Sequence, residues 1–64
     1  MSLVQVTYRQ GEIKRVPRGQ DPFIEIELDD RQRIIAMDMR RKIFINPERK
    51  TDDWTWWAFV ETRL

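Results

Sequence analysis

Hydrophobic and polar residues alternate near the start of the chain. In residues 3–9, Val4, Val6 and Tyr8 alternate with polar side chains, which is the period of a strand with one buried face. Gln10-Gly11 then predicts a tight hairpin turn, because glycine accepts the positive φ that such turns require. We therefore expect a strand, a turn and a second strand before a loop that begins at Pro17.

A second alternating stretch predicts another hairpin. Residues 23–28 can pair with residues 33–39 across a turn at residues 29–32. A shift of one residue inverts every side chain of a strand, so we favour the register that puts the apolar residues together and leaves Glu25 and Glu27 facing solvent. In that register one face collects Ile24, Ile26, Leu28, Ile35, Met37 and Met39.

The middle of the chain predicts shorter elements. Arg40-Arg41 marks a bend, and residues 43–45 form a short apolar strand without alternation, which is typical of a strand covered on both faces. Asn46-Pro47 resembles a helix start, because Asn is a common N-cap and Pro favours the first helical position. We expect at most two helical turns there, ending by Thr51.

The last segment, residues 54–64, has two possible interpretations. As a strand it places Trp54 and Trp56 on one face and Trp57 and Phe59 on the other. As a helix it would leave Trp54 and Phe59 outside the best apolar stripe. Seven of the nine residues 54–62 are aromatic or β-branched, and this composition favours the strand.

These segments predict an all-β fold. Val, Ile, Thr and aromatic residues number 22, against eight Ala, Leu and Met. Six candidate strands with short loops suggest a small SH3-like barrel or a twisted antiparallel meander of about five to six strands. The alternative is an α+β fold with a C-terminal helix packed on the sheet. Either way residues 1–64 form a single domain.

Composition excludes most catalytic chemistry and most cross-links. The chain has no Cys and no His, so disulfides, the common zinc sites and the usual bases and nucleophiles are missing. Ser2, the only serine, stands at the terminus. We therefore expect no enzyme, cofactor, metal or small-molecule substrate. A 64-residue domain is also marginally stable, so self-association or large core side chains must supplement it.

The expected environment is cytoplasmic. No apolar stretch approaches the ~20 residues that cross a bilayer, and no charged, apolar and small-residue leader opens the chain. We therefore expect no membrane interaction.

The net charge of +1 conceals segregated charges. Residues 21–30 carry five acidic and no basic side chains, whereas residues 40–50 carry five basic and one acidic. The functional interpretation is a surface that contacts phosphates or an acidic partner, including the acidic segment of another copy; the alternative is a solvated turn that protects an edge strand. The basic residues concerned are Arg40, Arg41, Lys42, Arg49 and Lys50.

The aromatic run at residues 54–59 is the second candidate feature. Its side chains cannot all enter one core if the segment is a strand. Trp57 and Phe59 could then form an exposed binding patch, because exposed aromatic residues are enriched among interface anchors. Alternatively the strand is central and both of its faces are covered.

We expect a non-catalytic protein-interaction module that self-associates or binds another protein through its aromatic C-terminal strand. Its apolar anchors are Trp54, Trp56, Trp57 and Phe59, and polar specificity comes from Arg40, Arg41 and Lys42. The alternative is a small-barrel nucleic-acid-binding module that uses the arginine-rich surface and stacks bases on nearby aromatic rings.

Overall fold

A computed structural model describes residues 3–64; Ser2 lies outside this part of the chain. The strands are β1, Val4–Pro17; β2, Gln32–Lys42; and β3, Thr51–Arg63. They form one antiparallel sheet in the order β1-β3-β2. The all-β class is confirmed, but the sheet has fewer strands than expected and stays open, so the barrel prediction is wrong. Residues 3–64 contain no helix long and apolar enough to cross a membrane.

The C-terminal segment is the central strand. β3 pairs with β1 from Thr51 to Arg63 and with β2 from Asp53 to Thr62. The strand interpretation is therefore confirmed, and the alternative with a C-terminal helix is wrong. Aromatic and β-branched side chains suit this position, because they pack well against neighbours on both sides of a strand.

The predicted turn at Gln10-Gly11 is wrong, because β1 continues through it. Gly11 pairs with Trp56 of β3, and an added Cβ would lie only 2.6 Å from Trp56 Nε1. The glycine therefore allows close approach of a large ring and does not reverse the chain.

The predicted hairpin between residues 23–28 and 33–39 is also wrong. Residues 33–39 belong to β2, but β2 pairs with β3, and residues 23–28 have no regular secondary structure. The turn before β2 is confirmed: the Gln32 amide donates to the Asp29 carbonyl at 3.1 Å. β3 has 13 residues and pairs along both of its edges. β2 therefore forms its hydrogen bonds with β3 and not with the nearer segment.

Residues 18–31, which we call the crossover segment, connect β1 to β2. Both strands run antiparallel to β3, so the crossover segment must return along the sheet. It retains the predicted alternation without a ladder: Ile24 and Ile26 are half-buried, whereas Glu25 and Glu27 are exposed, as expected. Arg9 fixes the segment by donating from Nη1 to the Glu27 carbonyl at 3.0 Å.

The crossover segment covers one face of the sheet, which we call the covered face. This face carries Arg9 of β1 together with Ala58 and Val60 of β3, and both of the latter side chains are 0% exposed. Within residues 3–64 the only other buried apolar side chain is Val16. The apolar core is therefore small and lies between the sheet and the crossover segment.

The connection between β2 and β3 also differs from expectation. β2 continues through Arg40-Arg41, so the predicted bend is wrong, and residues 43–45 form no strand. Asn46 starts a turn and not a helix: its Oδ1 accepts from the Glu48 amide at 3.0 Å, and its carbonyl accepts from the Arg49 amide at 3.1 Å. The capping bond thus forms, but β3 begins before a helix can extend.

Candidate functional site

The second face of the sheet, which we call the open face, has no layer of described chain over it. Register and strand alternation assign its residues. They include Val4, Val6, Tyr8, Gln10 and Glu12 of β1, Asp53, Thr55, Trp57, Phe59, Glu61 and Arg63 of β3, and Arg33, Ala36, Asp38, Arg40 and Lys42 of β2.

Three rings form an aromatic cluster at the centre of the open face. Tyr8 pairs with Phe59 across the strands, and their ring centroids are 5.3 Å apart. Trp57 meets Phe59 edge-on, with centroids 5.6 Å apart. Distances and tilts of this kind are favourable for aromatic pairs. The aromatic cluster, Tyr8, Trp57 and Phe59, is therefore an organised apolar surface.

Much of this surface faces solvent. Tyr8 is 53% exposed, Phe59 37% and the neighbouring Val6 50%, in contrast to complete burial of Ala58 on the other face. Ala58 and Phe59 are adjacent in sequence, so their difference in exposure comes from the face of the sheet on which each lies and not from their position along β3. The crossover segment covers only one side of the sheet.

The four predicted anchors divide between the two faces. Trp57 and Phe59 lie on the open face, whereas Trp54 and Trp56 share the covered face. The strand is central, as in the alternative interpretation, but one face stays open because the sheet does not close. Tyr8 was not expected to join the anchors, since its place beside Phe59 depends on pairing between the first and last strands.

The open face is apolar along the first part of β1, at Val4, Val6 and Tyr8, and mostly charged along β2. Arg33 of β2 pairs with Glu61, Nη2 to Oε2, at 3.3 Å. Farther along β2 the side chains are Asp38, Arg40 and Lys42. The aromatic cluster thus has a mixed border of both charge signs on one side.

The predicted basic residues do not form one surface. Arg40 and Lys42 belong to the open face, and Arg41, paired with Trp54, belongs to the covered face. Lys50 is exposed in the connection before β3. Strand alternation separates the first three, because neighbouring side chains point to opposite sides.

Arg49 stabilises the connection between β2 and β3. Its guanidinium carbon lies 3.6 Å from the centroid of the Phe44 ring, within the range of a cation–π contact. Its Nε donates to the Thr51 carbonyl at 2.7 Å, and Nη2 lies 3.5 Å from Asp53 Oδ1. Arg49 is therefore committed to contacts inside the protein.

Arg18 is a structural residue that sequence reasoning missed. Its Nε donates to Asp52 Oδ1 at 3.1 Å, and its two terminal nitrogens donate to the carbonyls of Phe44 at 2.7 Å and Asn46 at 3.2 Å. Asp52 lies within β3 and is 2% exposed. No local pattern could have paired residues so far apart in sequence.

Residues 3–64 contain no group of three acidic side chains placed to bind a metal ion. The aromatic cluster and its charged border form the candidate site on the open face. Comparisons of the chain with protein-family models, with curated proteins and with solved structures gave no match.

Proposed function

We propose that this protein is a non-catalytic, cytoplasmic interaction module that self-associates through the open face. The observation that carries the proposal is the exposed aromatic cluster on the central strand, with Tyr8 and Phe59 5.3 Å apart and both open to solvent. Exposed aromatic residues on a rigid sheet are typical anchors of protein interfaces.

The small core supports self-association. A domain is built from at least two packed layers, and here the second layer is a single crossover segment on one face. The open face has the size of an interface: three strands of about 12 residues span roughly 600 Å² in projection, compared with about 800 Å² per partner in a standard complex. A second sheet would cover the aromatic cluster and add the missing layer.

The distribution of basic residues favours a protein partner over nucleic acid. Arg40 and Lys42 share the open face with Asp38 and Glu12, and Arg49 is held against Phe44. A phosphate-binding surface needs positive charge that follows a backbone. The open face instead carries both signs, which suits a surface with its own mixed charges.

Sedimentation velocity over a range of protein concentrations tests the proposal. We expect the wild-type chain to self-associate reversibly. Trp57→Ser and Phe59→Ser should each weaken the association by about 30-fold, the effect of losing one interface anchor. Val6→Gln provides a further variant that is 50% exposed and therefore compatible with folding; it should weaken the association less.

Phe23→Ser is the matched control. Phe23 is 84% exposed and belongs to the crossover segment, so this variant loses a similar exposed ring away from the open face and should associate like the wild type. Circular dichroism of each variant establishes that it is folded. A monomeric wild-type chain at millimolar concentration, or folded open-face variants with unchanged association, would overturn the proposal. Co-purified nucleic acid with steeply salt-dependent affinity would instead support the nucleic-acid alternative.

A further inference from the structure

The open face is complementary to itself in one particular orientation. Its central three rows, read from β1 across β3 to β2, are defined by the strand register. They are Tyr8, Phe59 and Ala36; Gln10, Trp57 and Asp38; and Glu12, Thr55 and Arg40.

Two sheets that pack face to face can be related by a two-fold axis parallel to their strands. Such an axis puts β3 over β3 of the second copy and β1 over β2 of the second copy, with each row facing its own equivalent. Tyr8 then faces the small Ala36, Gln10 faces Asp38, and Glu12 faces Arg40. Packed sheets lie about 10 Å apart, a distance that long side chains can bridge.

The three juxtapositions in the central rows are each favourable. Like charges meet across the axis only toward the ends of β3, including Glu61 with Glu61 and Asp53 with Asp53, and each of these carboxylates is paired with an arginine of its own chain. The Tyr8 ring fills the space above Ala36, the Gln10 amide can donate to the Asp38 carboxylate, and Glu12 can pair with Arg40. Within residues 3–64 neither Glu12 nor Arg40 takes part in an ion pair. Because the axis is two-fold, each pair forms twice.

The face-to-face arrangement about the perpendicular axis is less favourable. An axis in the plane of the sheet but perpendicular to the strands puts β1 over β1 and β2 over β2, with the rows reversed. Centred between Phe59 and Trp57, it sets Arg33 against Arg40 and the apolar Val6 against Glu12, and like charges opposed across an interface disfavour that register. Centred on Phe59, it sets Glu12 against the apolar Val4, and a contact of Arg33 with Asp38 would compete with the ion pair of Arg33 to Glu61.

We propose that two copies of the chain pack their open faces about a two-fold axis parallel to β3, so that Glu12 of each copy pairs with Arg40 of the other. The inference rests on the proposed self-association and adds its geometry. The rows involved lie in the middle of β3, where sheet twist displaces facing residues least.

Charge reversal tests this geometry by sedimentation velocity at low salt. Glu12→Arg sets two arginines against each other at two places in the dimer, and Arg40→Glu sets two glutamates against each other. Each single variant should weaken dimerisation about tenfold or more, whereas the double variant carrying both changes should return to within about threefold of the wild type. The differences should shrink at high salt because exposed charges are screened.

Glu25→Arg, alone and with Arg41→Glu, is the matched control, since neither residue belongs to the open face. These variants should dimerise like the wild type. If the wild type dimerises and Trp57→Ser dissociates it, but the double charge reversal gives no recovery, the geometry is wrong and the proposed function stands. If the wild type does not associate at all, both are wrong.

Discussion

Gly11 of β1 lies directly against the indole of Trp56 of β3: a Cβ at position 11 would be 2.6 Å from Nε1 and 2.7 Å from Cε2 of that ring. The two residues are 45 positions apart in sequence and meet because β1 pairs with β3. The contact lets a large ring lie flat on the covered face, where a side chain on β1 would displace it.

Replacing this glycine tests that contact. Gly11→Ala should lower the free energy of unfolding by about 1–3 kcal/mol, since the ring must move away from an overpacked position. Urea unfolding at fixed protein concentration measures the loss. In a Trp56→Leu background the same change should cost much less, because the ring that clashes is gone. Equal losses in both backgrounds would show that Trp56 is not the cause.

The ion pair between Arg18 and Asp52 is the second target. Arg18→Ala leaves the nearly buried Asp52 carboxylate without its cation and frees two loop carbonyls. We expect a loss of about 2–3 kcal/mol in the free energy of unfolding. Arg31→Ala removes an exposed arginine that forms no ion pair with any residue from 3 to 64 and should change stability by less than about 0.5 kcal/mol. Similar losses for both variants would contradict the assigned role.

The covering role of the crossover segment can be tested with two adjacent residues. Ile24 is half-buried, whereas Phe23 is 84% exposed. Ile24→Ser should therefore destabilise the protein by about 1–2 kcal/mol, the cost of removing a partly buried aliphatic group. Phe23→Ser should have little effect despite losing a larger side chain. The reverse order, measured by chemical unfolding, would mean that the segment presents its other side to the sheet.

Local pattern predicted the strands more reliably than their partners. The alternation of residues 3–9 and the composition of residues 54–62 both identify strands that exist. The prediction of a turn at Gln10-Gly11 was wrong because the sequence cannot distinguish a glycine that allows close approach of a ring from one that allows a turn. The prediction of a helix start at Asn46-Pro47 was wrong because the same capping hydrogen bond also forms in a single turn.

The candidate site was also predictable only in part, because strand alternation is a local property and strand pairing is not. Alternation alone separates Trp54 and Trp56 from Trp57 and Phe59, whatever the fold around them. It does not say which pair is covered, because covering depends on the path of residues 18–31 across the sheet. Tyr8 joins the aromatic cluster only through the register of β1 on β3.

The sequence by itself therefore determined the absence of disulfide cross-links, and it favoured the all-β class and a strand with aromatic side chains on both faces. These properties depend on residue type and on the two-residue period of a strand. Only the tertiary structure decided that β3 is central, that β2 pairs with it and not with residues 23–28, and that the face with Trp57 and Phe59 is open. Strand pairing is a contact between distant residues, and several partners satisfy the same local pattern, so the choice among them is made by packing of the whole chain.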